Sequence, residues 1–207
     1  MSHHAIVIPR FRFSEPQKNL PTMKAGSVSP EDRFTQAFAR TYLAQAEQIH
    51  RHSRKKNIAL AQEIPVNGYG ITDLLAIAWE KTPKKTVASA SDFIAVAQPT
   101  CRAFEMKLAN WQKALSQASR YRNFAHQAIV VLPPAACGNA IKALDTFKLV
   151  NVGLWSFDPE TNCIQPIFTP KRHTPRSSRY WLQSIEKAAK APKSILPIRG
   201  TGKSHRS

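Results

Sequence analysis

The sequence lacks the features of several large protein classes. No apolar run reaches the roughly 18 residues that a membrane-spanning helix needs, and the N-terminal apolar patch "AIVI" is too short for the core of a signal peptide. The three cysteines, Cys101, Cys137 and Cys163, are odd in number and far apart, which indicates neither a disulfide framework nor a zinc cluster. "TGKS" near the C-terminus lacks the glycine-rich stretch of a phosphate loop. We therefore expect a cytoplasmic protein with reduced thiols and no membrane association.

Acidic residues are also scarce, because 13 Asp and Glu stand against 30 Lys and Arg and give a net charge of +17. Residues 58–170 are nearly neutral, with 10 basic and 8 acidic residues. The excess lies in the flanks, since residues 1–57 hold 10 basic and 4 acidic residues and residues 171–207 hold 10 and 1. Basic flanks around a neutral body favour a polyanionic partner, because each neutralised phosphate releases condensed counterions. Nucleic acid, most simply DNA, is the expected partner.

Composition divides the chain into three parts. Residues 1–28 are predicted to form a basic, flexible N-terminal arm, interrupted by Pro9, Pro16 and Pro21. Residues 29–170 are predicted to form the folded domain, and residues 171–207 a basic C-terminal helix and tail.

Hydrophobic periodicity predicts an α/β (α+β) domain, with a mixed central sheet flanked by helices and the core order α-β-β-β-α-β. The first helix starts with Ser29 as its cap and Pro30 in its first turn. Residues 58–66 and 71–79 are predicted as two strands joined at "NGYG", and residues 80–98 as a connection. The later segments are a strand "CRAFEMKL", a helix "NWQKALSQASRYRNFA", a strand "QAIVVLPP" after a parallel crossover, a short helix "GNAIKALDTFK", a hairpin of "NVGLWSFD" and "NCIQPIF", and a helix "SSRYWLQSIEKAAK".

Charged residues interrupt two of the apolar strands. Asp73 lies in "GITDLLAIAWE", where an unpaired buried carboxylate would be costly, so a salt bridge, a strand end or a bound cation is expected. Glu105 and Lys107 lie two apart in the next strand and project to the same face. A solvated strand face with a local ion pair is the simpler alternative.

These residue types also suit metal-assisted hydrolysis. The carboxylates of Asp73 and Glu105, with the backbone carbonyl of Met106 between Glu105 and Lys107, are hard oxygen ligands for Mg²⁺ or Mn²⁺. Lys107 would orient or deprotonate the attacking water, or stabilise the charge that develops on the phosphate. For base catalysis we expect the pKa of Lys107 to be lowered by a neighbouring metal ion and by burial in the apolar sheet.

Gln117 and Tyr121, four apart on the following helix, complete a larger pattern. The set Asp73, Glu105-x-Lys107 and Gln117-x-x-x-Tyr121 resembles the PD-(D/E)xK nuclease superfamily. The most similar branch is that of the RecB-like and virus-type replication-repair nucleases with a Q-x-x-x-Y motif. The resemblance covers about residues 30–135 and implies a restriction-endonuclease-like fold.

The resemblance also implies individual roles. Asp73 and Glu105 would hold the metal and Lys107 would assist catalysis, while Gln117 and Tyr121 would lie near the metal-bound water and the nucleic-acid backbone. A glutamate on the first helix is expected as a further ligand, for which Glu31 fits best, with Glu47 and Glu63 as other acidic candidates. One departure is that Thr72, rather than the superfamily's proline, precedes Asp73.

The leading hypothesis is therefore a Mg²⁺- or Mn²⁺-dependent deoxyribonuclease, acting as an endonuclease. One alternative is a nuclease-fold DNA-binding or assembly subunit of a larger nucleic-acid-processing complex, and a homodimer is compatible with either function. Another is an RNA-associated basic protein in which the motif is coincidental. The basic residues expected to contact nucleic acid are Arg54, Lys55, Lys56, Arg120, Arg122, Lys171 and Arg172.

Overall fold

A computed structural model describes residues 29–50, 57–79 and 89–191, except for the side chains of residues 47–50. The predicted arm over residues 1–28 and the end of the tail, from residue 192 on, lie outside the described residues. In chain order the elements are α1 (Pro30–His50), β1 (Asn57–Val66), β2 (Gly70–Trp79), α2 (Ala90–Ala97), β3 (Thr100–Met106), α3 (Trp111–Tyr121), β4 (Gln127–Leu132), α4 (Pro134–Lys142), α5 (Leu144–Leu149), β5 (Gly153–Asp158), β6 (Cys163–Phe168) and α6 (Ser178–Lys190).

Helix α1 begins where its capping residues predict. The backbone N–H of Asp32 donates to Ser29 Oγ at 3.0 Å, and the Ser29 N–H donates back to Asp32 Oδ2 at 3.3 Å. This reciprocal pair satisfies amide groups that have no partner inside the helix. The acidic first turn, Glu31 and Asp32, also lies at the positive end of the helix dipole.

Strands β1 and β2 form the predicted antiparallel hairpin, with Val66 opposite Gly70. Gly68 and Gly70 have φ angles of 80° and 93°, a conformation that glycine adopts without steric cost. The Tyr69 N–H closes the turn on the Val66 carbonyl at 2.9 Å.

The sheet is mixed and has six strands in the order β1-β2-β3-β4-β5-β6. β3 pairs with β2 antiparallel and with β4 parallel, so α3 makes the predicted crossover. β4 and β5 are also parallel, and β5 and β6 form the predicted antiparallel hairpin. The mixed α/β architecture expected from the sequence is therefore confirmed.

Two segments differ from the prediction. The region taken as a connection contains α2, which Ser89 caps by accepting the Asp92 N–H at 3.1 Å. The predicted helix "GNAIKALDTFK" is two short helices, α4 and α5, with a break at Ala143, whose φ and ψ are −99° and 19°. α4 starts earlier than predicted, because Pro134 occupies its first turn, where a missing N–H costs nothing.

Each face of the sheet has its own buried core. Phe34 and Phe38 of α1 pack with Phe104 and Phe157 on one face. Helices α2 to α6 cover the opposite face, so the core extends beyond residue 170 into α6, where Ile185 is fully buried. Alternation of side chains along the strands directs neighbours to opposite cores. No helix in the described ranges combines the length and apolar character that crossing a membrane requires.

Gly153 of β5 provides a test of this packing. A Cβ at this position would lie 2.8 Å from Pro170 Cδ, 2.9 Å from Ile129 Cγ1 and 3.1 Å from the Phe168 carbonyl oxygen. We expect Gly153→Ala to lower the free energy of unfolding by about 1 to 3 kcal/mol, measured by urea denaturation. Gly138→Ala is the matched control, because its Cβ would meet nothing within 4 Å. The higher helix propensity of alanine should stabilise α4 by up to about 1 kcal/mol. Equal effects of the two substitutions would contradict the packing described here.

Candidate active site

The pairing of β2 with β3 brings Asp73 and Glu105 together. Leu74 is opposite Phe104 in the antiparallel register, so the next position on each strand places Asp73 opposite Glu105. Asp73 is two residues from Leu75 and Glu105 is two residues from Ala103, so each carboxylate points to the same face as these side chains of the core beneath α3. The two carboxylates therefore lie on the same face of the sheet, as the sequence predicted for a shared site.

The Lys107 ammonium group lies among the oxygen atoms of four residues. Its Nζ is 3.0 Å from Glu105 Oε1, 2.8 Å from the Met106 carbonyl oxygen, 3.6 Å from Glu31 Oε2 and 3.9 Å from Asp73 Oδ2. We call these five residues the Lys107 cluster. With its side chains ionised, the cluster holds three carboxylates against one ammonium and so has an excess of negative charge.

The backbone of Met106 is bound on both sides within this cluster. Its N–H donates to Asp73 Oδ2 at 2.7 Å, while its carbonyl accepts from Lys107 Nζ at 2.8 Å. The Lys107 N–H continues the parallel ladder by donating to the Val131 carbonyl at 3.2 Å. The end of β3 is thereby fixed relative to β2 and β4, and with it the position of the Met106 carbonyl.

Tyr121 connects α3 to the two strands. Its buried hydroxyl is hydrogen-bonded to Glu105 Oε2 and lies 2.8 Å from the Ile71 carbonyl oxygen. Since the Glu105 side chain is fully buried, this contact holds its carboxyl group in one orientation. Tyr121 therefore contacts one of the proposed metal ligands.

Thr72 supports the site in a way that the sequence did not reveal. Its side chain is fully buried, and its Oγ1 lies 3.2 Å from the Leu74 carbonyl and 3.1 Å from the Phe104 carbonyl. The hydroxyl thus bridges β2 and β3 directly beside Asp73. From sequence, Thr72 is noticeable only because a polar residue precedes Asp73 where the nuclease superfamily has proline.

Burial makes the carboxylates difficult to ionise. Desolvation, followed by the nearby charge of Glu105, raises the pKa of Asp73 from 3.8 to about 7, although the Met106 N–H and Lys107 oppose this shift. Burial also raises the pKa of Glu105, against the hydrogen bond from Tyr121 and the charge of Lys107. A cation among these oxygens would stabilise their ionised forms.

The protein's own groups shift the pKa of Lys107 in the opposite direction to the lowering expected beside a metal ion. Burial alone would lower the pKa of Lys107, but attraction to Glu105 and Asp73 outweighs it, so the pKa is raised above its ordinary value. The ammonium form is therefore favoured, which suits electrostatic stabilisation or proton donation rather than base catalysis in this state.

The donor atoms suit a hard divalent cation only in part. No group of three or more His, Cys, Asp or Glu side chains in the described part of the chain is arranged to hold a metal ion. The donors near Lys107 Nζ are the buried carboxylate of Glu105, the half-buried carboxylate of Asp73, the Met106 carbonyl and the more exposed Glu31. Glu105 Oε1 is buried, and the ammonium group of Lys107 lies 3.0 Å from it as an ion pair. These oxygens fit Mg²⁺ or Mn²⁺ in chemical type.

The remaining predicted site residues, Gln117, Glu63 and Glu47, do not belong to the Lys107 cluster. Gln117 lies one turn before Tyr121 on α3, and its buried Oε1 has no hydrogen-bond partner in the described ranges. Glu63 is exposed on β1, away from the cluster of contacts around Lys107, and its φ is 52°. The side chain of Glu47 lies outside the described residues.

The predicted nucleic-acid-binding residues also fall into groups. Arg120 is exposed on α3 beside Tyr121, and Lys171 and Arg172 are exposed between β6 and α6. Arg122 has a structural contact, because its Nη1 donates to the Val150 carbonyl at 2.7 Å. Burial and the charge of Arg176 lower the pKa of Arg122. Arg54, Lys55 and Lys56 lie outside the described residues.

Comparison with known proteins adds no relative to this description. No family model, no curated protein and no solved structure matches the chain.

The raised pKa of Asp73 predicts a specific pH dependence of stability. Between about pH 4 and 7 the native state holds a proton that the unfolded state has lost, so the free energy of unfolding decreases as pH rises. Asp73→Asn removes this loss while retaining an acceptor for the Met106 N–H. In chelator, we expect the free energy of unfolding of this variant to exceed that of wild type by about 1 to 3 kcal/mol between about pH 5 and 8, measured by urea denaturation. A difference between the two proteins that does not change with pH would contradict a raised pKa of Asp73.

Proposed function

We propose that the protein is a metal-dependent nuclease that hydrolyses phosphodiester bonds of DNA, acting as an endonuclease. The observation that carries the proposal is the position of Lys107 Nζ, within 4 Å of oxygen atoms from Glu31, Asp73, Glu105 and Met106. Carboxylate and carbonyl oxygens surround this point, and it already holds one cationic group. Such surroundings suit a bound cation. The excess of carboxylates over ammonium groups favours a divalent ion.

The chain's own residues would divide the work. Asp73, Glu105 and the Met106 carbonyl would hold Mg²⁺ or Mn²⁺, with Glu31 as a further oxygen donor. When bound, such an ion lowers the pKa of a water molecule and offsets charge on a phosphate oxygen. Tyr121 would hold Glu105 in place, and the Met106 N–H would hold Asp73.

Lys107 must change position for this site to work. Its ammonium group lies among the same oxygens that would bind the ion, 2.8 Å from one of them. An ion held by these oxygens would lie close to the ammonium group, and the two positive charges would repel, so the lysine side chain would have to point outward. There its positive charge would stabilise negative charge on the attacked phosphate or orient the water.

Chain topology supports the restriction-endonuclease-like fold that the motif resemblance implies. The order α1, β1, β2, β3, α3, β4 follows the expected core order, with α2 inserted between β2 and β3. The antiparallel β2–β3 pair and the parallel β3–β4 pair give the mixed sheet expected for that superfamily. The +17 net charge supports a polyanionic substrate.

Cleavage of closed circular DNA tests the proposal directly, since this substrate has no ends for an exonuclease. We expect nicking or linearisation with Mg²⁺ or Mn²⁺ and none with chelator. Asp73→Asn and Lys107→Met should each reduce the rate by about 100-fold or more. Asp145→Asn and Lys113→Met are matched controls at exposed positions and should cut like wild type. Cutting that persists in both site variants would exclude this site.

Substitution of Lys107 should reduce catalysis without preventing metal binding. Wild type and Lys107→Met should both gain thermal stability in Mn²⁺ by about 2 to 5 °C, because the oxygens remain and the displaced ammonium is not itself a ligand. Asp73→Asn should lose this gain. Differential scanning fluorimetry measures the shift without DNA. If Lys107→Met also loses the shift, the lysine is needed to assemble the metal site, contrary to its assigned role.

Binding of DNA without cutting under every metal would instead support the DNA-binding or assembly subunit. That outcome is distinguishable from an inactive preparation, because the metal-dependent shift in thermal stability would show whether the site binds an ion.

A further inference from the structure

A second polar site lies on the other face of the sheet. Arg102 and Glu105 are both on β3, three positions apart, so they point to opposite faces and are about 10 Å apart along the strand. Around Arg102 is a cavity of about 60 Å³, which we call the Arg102 pocket. The polar side chains lining it belong to Tyr42, Thr100, Arg102, His126, Gln127 and Arg172.

The Arg102 guanidinium group is held in one orientation. Its Nε and Nη2 donate to Gln127 Oε1 at 3.1 and 2.8 Å, and its Nη1 donates to the Tyr42 hydroxyl at 2.9 Å. The guanidinium carbon also lies 5.2 Å from the ring centroid of Trp155. The Gln127 amide is oriented in turn, because its Nε2 donates to the Pro170 carbonyl at 2.7 Å. A guanidinium group has five N–H donors, so donors remain for a ligand.

No carboxylate in the described ranges forms an ion pair with Arg102, whose partners there are an amide, a hydroxyl and aromatic rings. Aromatic rings attract a cation by about 1 kcal/mol but do not neutralise it. None of the described residues that line the pocket is acidic. Among the described residues, the charged groups of the pocket are therefore two guanidinium groups, which an anion would neutralise.

A second arginine is positioned beside this space. Arg172 lines the pocket. Backbone groups on both sides of Arg172 are hydrogen-bonded to Gln127, the first residue of β4, or to His126, which precedes β4. The Pro170 carbonyl accepts from Gln127 Nε2, and the His173 N–H donates to the His126 carbonyl at 3.1 Å. Although the Arg172 side chain is exposed, its backbone is held at the edge of the pocket. His126 Nδ1 accepts the Cys101 N–H at 3.0 Å, so a neutral imidazole carries its proton on Nε2.

We propose that Arg102 and Arg172 form a second binding site, specific for a phosphate-type oxyanion and separate from the Lys107 cluster. The planar guanidinium group matches phosphate oxygens in a two-pronged arrangement that an ammonium group cannot provide. The volume is far below the roughly 300 Å³ of a pocket for a drug-sized ligand, so it accommodates one phosphate group and not a nucleoside. Two sources have this chemistry: a phosphate of a nucleic-acid backbone that continues beyond the pocket, and a free phosphate ion.

Inorganic phosphate is the first probe, used with the full chain in chelator. We expect about 50 mM phosphate to raise the melting temperature of wild type by about 2 to 4 °C above chloride of equal ionic strength. Arg172→Gln should lose at least half of this gain. Arg40→Gln removes one charge from an exposed position of α1 that does not line the pocket, and should keep the gain. Equal gains in the Arg172 and Arg40 variants would overturn the proposal.

Arg102 is tested with a conservative change, because its removal risks unfolding. Arg102→Lys keeps the charge but loses the planar fork, so it should fold and lose the phosphate gain. A crosspeak for the Trp155 indole N–H, which donates to Thr169 Oγ1 at 3.0 Å, reports on this site in ¹⁵N NMR spectra. Phosphate should shift that resonance in wild type more than those of the other tryptophans. An unmoved Trp155 resonance would place any phosphate effect elsewhere and contradict the assignment.

DNA binding in chelator then identifies the source of the phosphate. If the ligand is a backbone phosphate, Arg172→Gln should bind a short duplex about threefold to tenfold more weakly than Arg40→Gln, and inorganic phosphate should compete. If the two variants bind DNA equally while only Arg172→Gln loses the phosphate gain, the ligand is the free ion. Both results uphold the oxyanion site. Neither measurement depends on cleavage, so the oxyanion site is tested independently of the proposed nuclease activity.

Discussion

The pairing of β2 with β3 is the constraint on which the candidate active site depends. With Leu74 opposite Phe104, the next position on each strand brings Asp73 and Glu105 side by side, near the C-terminal end of β3. A slip of one residue would move one carboxylate to the other face, into the aromatic core beneath α1. The Thr72 hydroxyl bridges the carbonyl groups of both strands at this point and so stabilises this alignment. The register is thus a condition for the chemistry as well as for the core.

The Lys107 cluster also shows how the fold tolerates charge inside an apolar sheet. Buried carboxylates are costly unless they are paired and hydrogen-bonded. Here the ammonium of Lys107, the hydroxyl of Tyr121 and the N–H of Met106 supply those partners. The compensation is incomplete, since the pKa of Asp73 is still raised to about 7. Residual destabilisation of this kind is typical of sites that bind a ligand, because the ligand supplies the missing interaction.

The two candidate sites lie at opposite ends of β3. The carboxylates of Asp73 and Glu105 lie on the α3 face near its C-terminal end, where Glu31 of α1 also reaches Lys107. Arg102 lies near its N-terminal end and points to the α1 face. The attraction would differ between the two sites. Around Lys107, carboxylates outnumber the ammonium group and would attract a cation. In the Arg102 pocket, neutral partners hold a guanidinium group, which would attract an anion. Under the proposed function, the carboxylates of the Lys107 cluster alone would repel a polyanion, so basic residues elsewhere on the chain would have to attract it.

Sequence alone determined much of this protein, because the signals were local. Alternating and continuous apolar runs predicted the strands, and capping residues such as Ser29 predicted helix starts, since both effects act within a few residues. Strand periodicity also placed Glu105 and Lys107 on one face. The helix α2 and the break between α4 and α5 were missed, because short segments carry too little periodicity to distinguish a helix from a connection.

Only the tertiary structure decided which distant residues meet. The contacts of Lys107 with Glu31, the bridge made by Thr72 and the pairing of Arg102 with Gln127 join residues from different elements, and no local pattern encodes them. The direction in which the protein's own groups shift the pKa of Lys107 also depends on such contacts. Burial was evident from the apolar strand, but the net shift depends on how many carboxylates surround the ammonium group. That number is set by strand register and helix packing, which sequence periodicity does not specify.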